Sequence, residues 1–333
     1  MKIVIFEIEP WEREAFASLE REHDLVFEAG RLDKHSASKH SDAEIISTFI
    51  YSALNREVLS QFPGLKLIAT RSTGFDHIDL DICHAGDITV TNVPNYGENT
   101  VAEHVFALLL AISHRLVEAV DRTRRGDFTQ AGLTGFDLEG KVMGIIGTGN
   151  IGRHTARIAK GFGMDVLAYD TRPDEAVAEE VGFEYTSFMD VLGRADVLSL
   201  HVPATTETRH MIADREFDAM KDGVVLINTA RGSVVDVRSL LRALSRGRVA
   251  AAGIDVLPEE PVIREEAELL RSAFSREHDL ESLLADHILL RLRNVLITPH
   301  SAFNTKEAVR RILDTTRENI EAFIAGRPRH LVS

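Results

Sequence analysis

The stretch from Val142 to Asp170 constrains the fold of this 333-residue chain more than any other part of its sequence. It reads VMGIIGTGNIGRHTARIAKGFGMDVLAYD. A short apolar run leads into a glycine-rich turn at residues 147–152, and a run with helical character follows from Arg153 to Phe162. A second apolar run, Val166 to Tyr169, then ends on Asp170. This order predicts a strand, a tight turn, a helix and a second strand, which is the β/α/β unit of a parallel sheet.

The glycine-rich turn has the spacing of a dinucleotide-binding loop. Gly147 permits the tight turn after the strand, Gly149 allows backbone to approach a pyrophosphate, and Gly152 lets the helix pack closely on the strand. With Asn150 and Ile151 these glycines form a loop whose N–H groups lie at the positive end of the helix. A lone G-x-G-x-x-G is weak evidence, but here the strand and the helix flank it in the required order.

Asp170 indicates which dinucleotide is bound. A carboxylate at the end of the second strand would accept hydrogen bonds from an adenosine ribose and repel a 2′-phosphate. It therefore predicts NAD as the cofactor, although Arg172, two residues further on, leaves NADP open.

Charge and cysteine content exclude several classes of function. A net charge of −14 leaves no basic surplus for nucleic acid or an anionic membrane, although a small anionic substrate needs only one or two local cations. Cys83 is the single cysteine, which rules out an internal disulfide and is typical of a reducing compartment. The apolar N-terminal run is too short for a signal peptide, and the run from Val105 to Ile112 is far shorter than the ~20 residues of a spanning helix. We therefore predict a cytoplasmic protein with neither a nucleic-acid nor a membrane partner.

The order of the predicted elements indicates two domains, as the length also favours. Alternating strands and helices precede the fingerprint, without a glycine motif of their own, and a long amphipathic helix from Thr305 to Ile324 follows the last strand. That helix would return to the first domain. We predict two doubly wound, Rossmann-like parallel sheets with a cleft between them: a discontinuous substrate domain of residues 1–100 plus 301–333, and an NAD-binding domain of residues 101–300. The predicted strands are Ile3–Phe6, Leu25–Glu28, Glu44–Phe49, Leu65–Thr70 and Thr89–Asn92, then Val142–Ile146, Val166–Tyr169, Val197–Val202, Val224–Asn228, Ala250–Val256 and Val295–Thr298, with helices including Trp11–Glu22, Val101–Arg115 and Val237–Arg246.

Three later strands end in residues suited to chemistry. A nicotinamide cofactor implies hydride transfer, which requires a proton donor or acceptor and a group that holds the substrate. Ligands of open α/β sheets lie beyond the carboxyl ends of the strands, so an arginine, a carboxylate and a histidine at successive strand ends would converge on one cleft. The three segments are Asn228-Thr229-Ala230-Arg231-Gly232, Asp255 through Pro261, and Thr298-Pro299-His300-Ser301.

These segments resemble the three signature blocks of the D-isomer-specific 2-hydroxyacid dehydrogenases, and the resemblance extends over essentially the whole chain. Residues 147–152 are similar to the cofactor loop of that family, and residues 71–76 and 92–96 to its substrate-domain motifs. Within the family the D-lactate dehydrogenase branch is most similar, on the basis of Tyr51, Tyr96, Arg209 to Ile212 and the extended segment between Pro261 and Val295.

The resemblance implies three catalytic residues. His300 would protonate the keto oxygen during reduction and act as the base in the reverse direction, because imidazole changes charge near neutral pH. Glu260 would hydrogen-bond His300 and favour its protonated form. Arg231 would bind the substrate carboxylate through its planar fork of donors. No metal is needed, and the sequence shows no metal-ligand spacing.

The resemblance also implies further contacts with cofactor and substrate. Val202, Pro203 and Thr208 would line the adenine and ribose path, Thr229 and Ala230 would lie beneath the nicotinamide, and Asp255 would bind its carboxamide. Ser72, Thr73 and Gly74 would receive the substrate carboxylate through backbone N–H groups, and Tyr51 and Tyr96 would line the substrate pocket. His104, on an apolar helix, is expected to be an ordinary core or surface histidine.

Several functions remain open at this level. An NAD-dependent D-2-hydroxyacid dehydrogenase acting on pyruvate and D-lactate is the leading hypothesis. The alternatives are a phosphoglycerate or glyoxylate/hydroxypyruvate reductase of the same family, and a protein that senses NAD(H) and binds a partner without turnover. A phosphorylated substrate should require extra cations, and the loops near Tyr51 and Ser72 offer only Arg56 and Arg71. The long helix from Val101 and the polar segment after it resemble the dimer-forming region of the family, so we predict a homodimer through the cofactor domain.

Overall fold

The computed structural model describes residues 1–258 and 287–332. The chain divides into two compact units, Met1–Tyr96 with Asn304–Ser333, and Gly97–Phe303. Each unit is built on one sheet, and every strand pair in both sheets is parallel. The predicted class, two parallel α/β regions, is confirmed.

The first unit contains a five-stranded sheet in the order β2-β1-β3-β4-β5. Its central strands β3 and β4 are buried at every residue, as expected for parallel strands covered on both faces. The strands are β1 (Lys2–Ile5), β2 (Asp24–Phe27), β3 (Ile45–Thr48), β4 (Leu67–Thr70) and β5 (Thr89–Thr91), and the helices before β5 are α1 (Ala17–Glu20), α2 (Lys34–Lys39), α3 (Arg56–Leu59) and α4 (Leu80–Ala85).

The predicted helix from Trp11 to Glu22 is wrong in kind. The chain instead forms a 3₁₀-helix, Pro10–Phe16, followed by the single turn of α1. Only Phe16 and Leu19 are buried along this stretch, while Trp11 is 60% exposed. The apolar stripe is therefore too short to stabilise a longer α-helix by packing.

The second unit contains a seven-stranded sheet in the order β12-β11-β10-β9-β6-β7-β8, with a hydrophobic core on each face. The edge strand β8 has only two residues and was not predicted. The strands are β6 (Val142–Ile146), β7 (Asp165–Tyr169), β8 (Glu184–Tyr185), β9 (Val197–Leu200), β10 (Val224–Asn228), β11 (Val249–Ile254) and β12 (Val295–Ile297), and the helices are α5 (Glu98–Ser113), α6 (Leu116–Arg124), α7 (Asn150–Gly161), α8 (Glu175–Val181), α9 (Phe188–Arg194), α10 (Asp214–Ala219) and α11 (Val237–Ser245).

Helix α5 packs directly on the second sheet. A Cβ added at Gly253 of β11 would lie only 2.9 Å from the Cβ of Leu108, so this glycine makes room for the helix. Most of the apolar residues of α5 are buried. Within the described ranges no single helix is long and apolar enough to cross a membrane; only the pair α5 and α6, bent by 61°, passes that test by length and composition.

The helix predicted at Thr305–Ile324 is confirmed. It forms α12 (Lys306–Ile324), with the Thr305 hydroxyl accepting a hydrogen bond from the backbone N–H of Ala308. Helix α12 belongs to the first unit, where the Asn319 side chain donates to the carbonyl oxygen of Asn92 at 2.8 Å. This pairing joins residues 227 positions apart in the sequence.

Candidate active site

The residues predicted to bind cofactor or to catalyse in the second unit follow six neighbouring strands. Because the strands are parallel, their carboxyl ends lie at one edge of the sheet, where ligands of open α/β folds bind. The residues and strands are Gly147 to Gly152 after β6, Asp170 after β7, Val202, Pro203 and Thr208 after β9, Thr229 to Arg231 after β10, Asp255 after β11, and His300 after β12.

The three glycines of the fingerprint loop meet different constraints. A Cβ at Gly147, whose φ is +94°, would lie 2.6 Å from the carbonyl oxygen of His201, and one at Gly152 would lie 2.1 Å from the carbonyl oxygen of Gly147. A Cβ at Gly149, the residue that caps α7, would meet no atom of the chain within 4 Å. Packing within the chain thus explains the first and third glycines. The second leaves a backbone surface open at the helix N-terminus, which fits the pyrophosphate of a dinucleotide.

Asp170 organises the same loop. Its Oδ2 accepts hydrogen bonds from the backbone N–H of Thr148 at 2.6 Å and from the Thr148 hydroxyl at 3.0 Å, and its Oδ1 accepts from the N–H of Arg172 at 2.8 Å. Partial burial would raise the pKa of this carboxyl, but these hydrogen bonds outweigh burial and lower the pKa below its ordinary value. A charged carboxylate therefore lies at the end of β7, as the ribose of NAD requires.

The loop after β9 is held by its own side chains. The Thr208 hydroxyl donates to the carbonyl oxygen of Pro203 at 2.6 Å and accepts from the N–H of Thr205 at 2.8 Å. Just before this loop, burial lowers the pKa of His201 to about 3. His201 Nε2 lies 2.9 Å from the Ser199 hydroxyl, and the buried Nδ1 has no hydrogen-bond partner within the described ranges. The neutral imidazole of His201 is thus buried inside the unit, next to Val202.

The loop after β10 carries Thr229, Ala230 and Arg231. The Asn228 side chain spans it, accepting from the N–H of Ala230 and donating to the carbonyl oxygen of Arg231, both at 3.0 Å. The Thr229 hydroxyl is buried and has no partner within residues 1–258 and 287–332, although buried polar groups are normally hydrogen-bonded. A polar ligand at this loop would satisfy it, which fits the predicted nicotinamide position. Gly232 then packs against residues 257–258, where a Cβ would lie 2.2 Å from the carbonyl carbon of Leu257.

The loop after β12 is organised around Asp255, which is 1% exposed. Its Oδ1 accepts from the Thr298 hydroxyl and from the N–H of Ser301 at 2.9 Å, and its Oδ2 accepts from the N–H of Ala302 at 2.9 Å. The N–H of His300 donates to the carbonyl oxygen of Asp255 at 2.9 Å. The Asp255 carboxylate thus already accepts three hydrogen bonds from the protein. Its contact with the nicotinamide carboxamide stays a prediction.

His300 has a backbone conformation that is uncommon for a residue with a side chain. Its φ is +51°, in the left-handed region, which is sparsely populated outside glycine. Residues with such backbone angles persist where the surroundings hold them, often at functional sites. The hydrogen bonds of Asp255 on both sides of His300 supply that support. Its predicted partner Glu260 lies outside the described residues, as do Glu259 and Pro261.

His104 has a role that sequence reasoning missed. Its Nε2 lies 3.0 Å from the Thr298 hydroxyl and 3.5 Å from Asp255 Oδ1. His104 and His300 therefore both connect to Asp255: His104 lies near its carboxylate, and the backbone N–H of His300 donates to its carbonyl oxygen. No spacing in the sequence could reveal this contact, because 194 positions separate His104 from Thr298. The only signal was a polar residue on the buried face of α5.

The predicted substrate residues of the first unit follow three neighbouring strands, β3, β4 and β5. The hydroxyls of Ser72 and Thr73 donate to the carbonyl oxygens of Gly74 at 2.6 Å and Val93 at 2.7 Å. A hydroxyl has one hydrogen, so neither could donate to a ligand without losing these bonds. This leaves the backbone N–H groups as donors of the loop, as the family resemblance implies. Tyr51 after β3 is 37% exposed, and the carbonyl oxygen of Tyr96 after β5 accepts from Arg311 Nε at 2.6 Å.

A buried carboxylate and arginine support this loop region. Glu7 accepts from the backbone N–H of Phe49 at 2.9 Å and of Tyr51 at 3.3 Å, and from the Ser52 hydroxyl. Burial raises the pKa of Glu7, while Ser52 and Arg71 oppose the rise. Arg71 is 3% exposed and donates to the carbonyl oxygens of Phe6 and Glu7 at 2.6 and 2.7 Å. Arg71 is one of the two arginines near the predicted substrate loops, and its guanidinium is hydrogen-bonded inside the core.

Among the described residues, no group of three or more His, Cys, Asp or Glu side chains could hold a metal ion.

Comparison with known proteins agrees with the geometry of both units. A family model described as D-isomer specific 2-hydroxyacid dehydrogenase, NAD binding domain, matches residues 106–302. The D-lactate dehydrogenase of Escherichia coli is 33% identical over 333 residues, 98% of each chain. The glyoxylate reductase of Thermococcus litoralis is 38% identical over 304 residues, 89% of this chain and 85% of that protein. The crystal structure of D-lactate dehydrogenase from Aquifex aeolicus, complexed with NAD and lactic acid, superposes with a TM-score of 0.86 at 38% identity, covering 98% of this chain and 96% of that one.

The chain belongs to the D-isomer specific 2-hydroxyacid dehydrogenase family. It is an NAD-dependent oxidoreductase of the class that acts on small 2-hydroxy acids.

Proposed function

We propose that this enzyme is a D-lactate dehydrogenase that reduces pyruvate to D-lactate with NADH. The observation that carries this proposal is the extent of the similarity. The D-lactate dehydrogenases of Aquifex aeolicus and Escherichia coli match along 98% of the chain, whereas the glyoxylate reductase of Thermococcus litoralis matches along 89%. The sequence features that resemble the lactate branch, which are Tyr51, Tyr96, residues 209–212 and the extended segment between Pro261 and Val295, favour the same activity.

The charges near the predicted substrate loop favour a small, singly charged acid. Arg71 donates to carbonyl oxygens of its own unit and is almost fully buried, so it is not available to a phosphate group. Arg56, at the start of α3, is the other arginine near these loops. A phosphate carries nearly two negative charges and would need more than one cation, which argues against phosphoglycerate.

In this proposal Arg231 binds the substrate carboxylate. Its planar guanidinium can present two parallel donors to a carboxylate, which fixes both the position and the plane of the keto acid. The same positive charge lies beside the keto oxygen as that oxygen gains negative charge in the transition state. The backbone N–H groups of residues 72–74 are the other donors that we propose for the substrate carboxylate.

His300 is the proposed proton donor. During reduction bound NADH supplies the hydride to the carbonyl carbon, and a protonated imidazole delivers the proton to the carbonyl oxygen; in oxidation the neutral imidazole accepts it. Glu260 would hydrogen-bond the imidazole and favour the charged form before reduction. The hydrogen bonds of this loop to Asp255 hold the backbone on both sides of His300, which favours a fixed position for its side chain.

The cofactor would be held along the carboxyl edge of the second sheet. Gly149, Asn150 and Ile151 at the start of α7 would hold the pyrophosphate, and Asp170 the adenosine ribose. Val202, Pro203 and Thr208 would line the path between the two halves of NAD. Thr229, Ala230 and Asp255 would lie at the nicotinamide, where the unsatisfied Thr229 hydroxyl supports a polar contact.

Glyoxylate reduction is the second candidate. It is favoured by the 38% identity to the Thermococcus litoralis glyoxylate reductase, a value that equals the identity to the Aquifex aeolicus D-lactate dehydrogenase. Glyoxylate lacks the methyl group of pyruvate, and one methyl group in a fitted pocket changes specificity only about 10- to 200-fold. The two activities are therefore distinguished by a ratio rather than by presence or absence.

The direct test follows NADH oxidation with pyruvate and with glyoxylate, together with the chirality of the lactate formed. The proposal expects D-lactate and a higher kcat/KM for pyruvate. A higher value for glyoxylate supports the second candidate. NADH binding without turnover of any 2-keto acid would instead favour a sensor that binds a partner.

Variants test the assigned residues in the same assay. His300→Ala should lower kcat by about 10²- to 10⁴-fold, as expected for loss of a general acid. His114→Ala, an exposed histidine at the end of α5, is the matched control and should leave kcat unchanged. Loss of less than tenfold in His300→Ala would contradict the assignment.

We also propose a homodimer formed through the cofactor domain. Helix α6 has no buried residue, and four large apolar side chains between residues 116 and 128 are exposed: Leu116, Val117, Val120 and Phe128, at 52%, 50%, 37% and 80%. A second copy would cover such a patch. Light scattering at micromolar concentration should give twice the 37.0 kDa chain mass, and Val117→Glu with Phe128→Glu should give the monomer mass. A monomer in the wild type would contradict the dimer.

We also propose a cytoplasmic location and neither a nucleic-acid nor a membrane partner, on the basis of the net charge, the single cysteine and the short apolar runs.

A further inference from the structure

The loop that carries His300 depends on a hydrogen-bond chain that starts outside it, on helix α5. Thr298 donates its hydroxyl hydrogen to Asp255 Oδ1. A threonine hydroxyl has one hydrogen, so toward His104 Nε2, at 3.0 Å, the same oxygen can only accept. Nε2 of His104 must therefore carry a proton and donate. The direction of the chain is fixed: His104 to Thr298 to Asp255.

Asp255, the last acceptor of these hydrogen bonds, holds the backbone around His300. Asp255 accepts from the N–H groups of Ser301 and Ala302, both at 2.9 Å, and its carbonyl oxygen accepts from the N–H of His300. These three donors are consecutive residues, and they hold His300 at its φ of +51°. A carboxylate that rotated away would release two of the three hydrogen bonds at once.

His104 is suited to prevent that rotation. It projects from α5, which packs on β11 at Gly253, two residues before Asp255. Its side chain is 20% exposed, and Nε2 also lies 3.5 Å from Asp255 Oδ1. The carboxylate is thus approached from α5 on one side and from residues 298–302 on the other.

We propose that His104 is a positioning residue for the reaction: through the Thr298 hydroxyl it fixes the Asp255 carboxylate and so the loop that presents His300. This inference rests on the proposed role of His300 as the proton donor. A displacement of about 1 Å in a reacting group can lower the rate on the order of 10²-fold. Loss of the hydrogen bonds from His104 through Thr298 to Asp255 should therefore lower kcat while leaving cofactor affinity almost unchanged.

Three variants test the proposal by steady-state kinetics. His104→Leu replaces the imidazole by an apolar side chain and so removes the donor. It should lower kcat for the preferred 2-keto acid by about 10- to 100-fold, with the Kd for NADH within about twofold of wild type. His104→Gln restores an N–H donor and should recover kcat to within about threefold of wild type. His114→Leu makes the same exchange at the exposed residue that follows α5 and should change neither quantity.

A double-variant cycle distinguishes positioning from general destabilisation. If His104 acts only through Thr298, then His104→Leu combined with Thr298→Val should lose no more activity than the more damaging single variant. Additive losses would overturn the proposal, as would a kcat for His104→Leu within twofold of wild type or a failure of His104→Gln to recover activity.

Hydrogen exchange in the cofactor-free protein supplies a readout that needs no turnover. In His104→Leu the amides of residues 300–302 should exchange about three- to tenfold faster, while those of α7 keep their wild-type rates. Faster exchange throughout the second unit would mean that His104 serves overall stability, and would overturn the proposal. A wild-type enzyme without 2-keto acid turnover would defeat the proposed function, and the exchange rates would still decide whether His104 holds this loop.

Discussion

Alanine at two glycines of the fingerprint loop should have two different effects. Gly152→Ala should lower thermal stability, whereas Gly149→Ala should weaken cofactor binding. A Cβ at Gly152 would lie 2.1 Å from the carbonyl oxygen of Gly147, roughly 1.4 Å closer than the ~3.5 Å of ordinary contact. The atom it meets is backbone, so the strand and helix must separate. Overpacking of this kind costs about 1–3 kcal/mol, which for a unit of roughly 200 residues lowers Tm by about 2–12 °C.

Gly149→Ala should behave differently, because the new methyl group meets nothing within 4 Å and the backbone there, with φ −63° and ψ −172°, is open to alanine. We expect an unchanged Tm but at least about tenfold weaker NADH binding, since the methyl group lies where the pyrophosphate approaches the backbone. Gly161→Ala, at the other end of α7 and also without neighbours within 4 Å, is the matched control and should bind NADH normally.

Thermal unfolding of the cofactor-free proteins and fluorescence titration with NADH measure the two effects separately. Normal NADH affinity in Gly149→Ala would refute the assignment of the pyrophosphate to this loop. An unchanged Tm in Gly152→Ala would refute the packing argument.

Three further predictions concern charge. Asp170→Asn should raise the kcat/KM ratio of NADPH to NADH by about tenfold or more, because it removes the repulsion of a 2′-phosphate; an unchanged ratio would contradict the role of Asp170. Arg231→Lys should lower kcat/KM for the keto acid by about 10²-fold or more, since one donor of a bidentate pair is lost, and wild-type activity would contradict the carboxylate assignment. The folded pKa of His201, about 3, lies below the ordinary 6.5, so only the unfolded chain gains this proton as the pH falls from 6.5 toward 3. Stability should therefore decline across that interval, and urea unfolding of His201→Gln should show a shallower decline; identical slopes would contradict the burial of a neutral ring.

The fold was largely predictable because its signals are local. Apolar runs of four to six residues, separated by helical runs, indicate parallel strands whatever the distant parts of the chain do. The predictions were wrong or missing where the apolar pattern covers only a few residues. Strand β8 has two residues, and the 3₁₀-helix at Pro10–Phe16 has too few buried residues to show a helical stripe.

The candidate site was predictable to the extent that each residue follows a strand end. Gly149 and Asp170 could be assigned from one β/α/β unit, and Arg231 and His300 from their strand ends together with the family resemblance. Contacts between distant segments were not accessible: His104 reaches Thr298 across 194 positions, and Arg71 is used by carbonyl oxygens of residues 6 and 7. Such pairs form only once the strands are ordered in the sheet, and no periodicity along the chain encodes them.

The most direct test of the proposed activity is a panel of kcat/KM values for pyruvate, glyoxylate, hydroxypyruvate, phenylpyruvate and oxaloacetate, each measured with NADH and with NADPH. The account predicts that pyruvate with NADH gives the highest value and that NADPH is poorer with every acid. Failure to oxidise NADH with any of the five acids would contradict it.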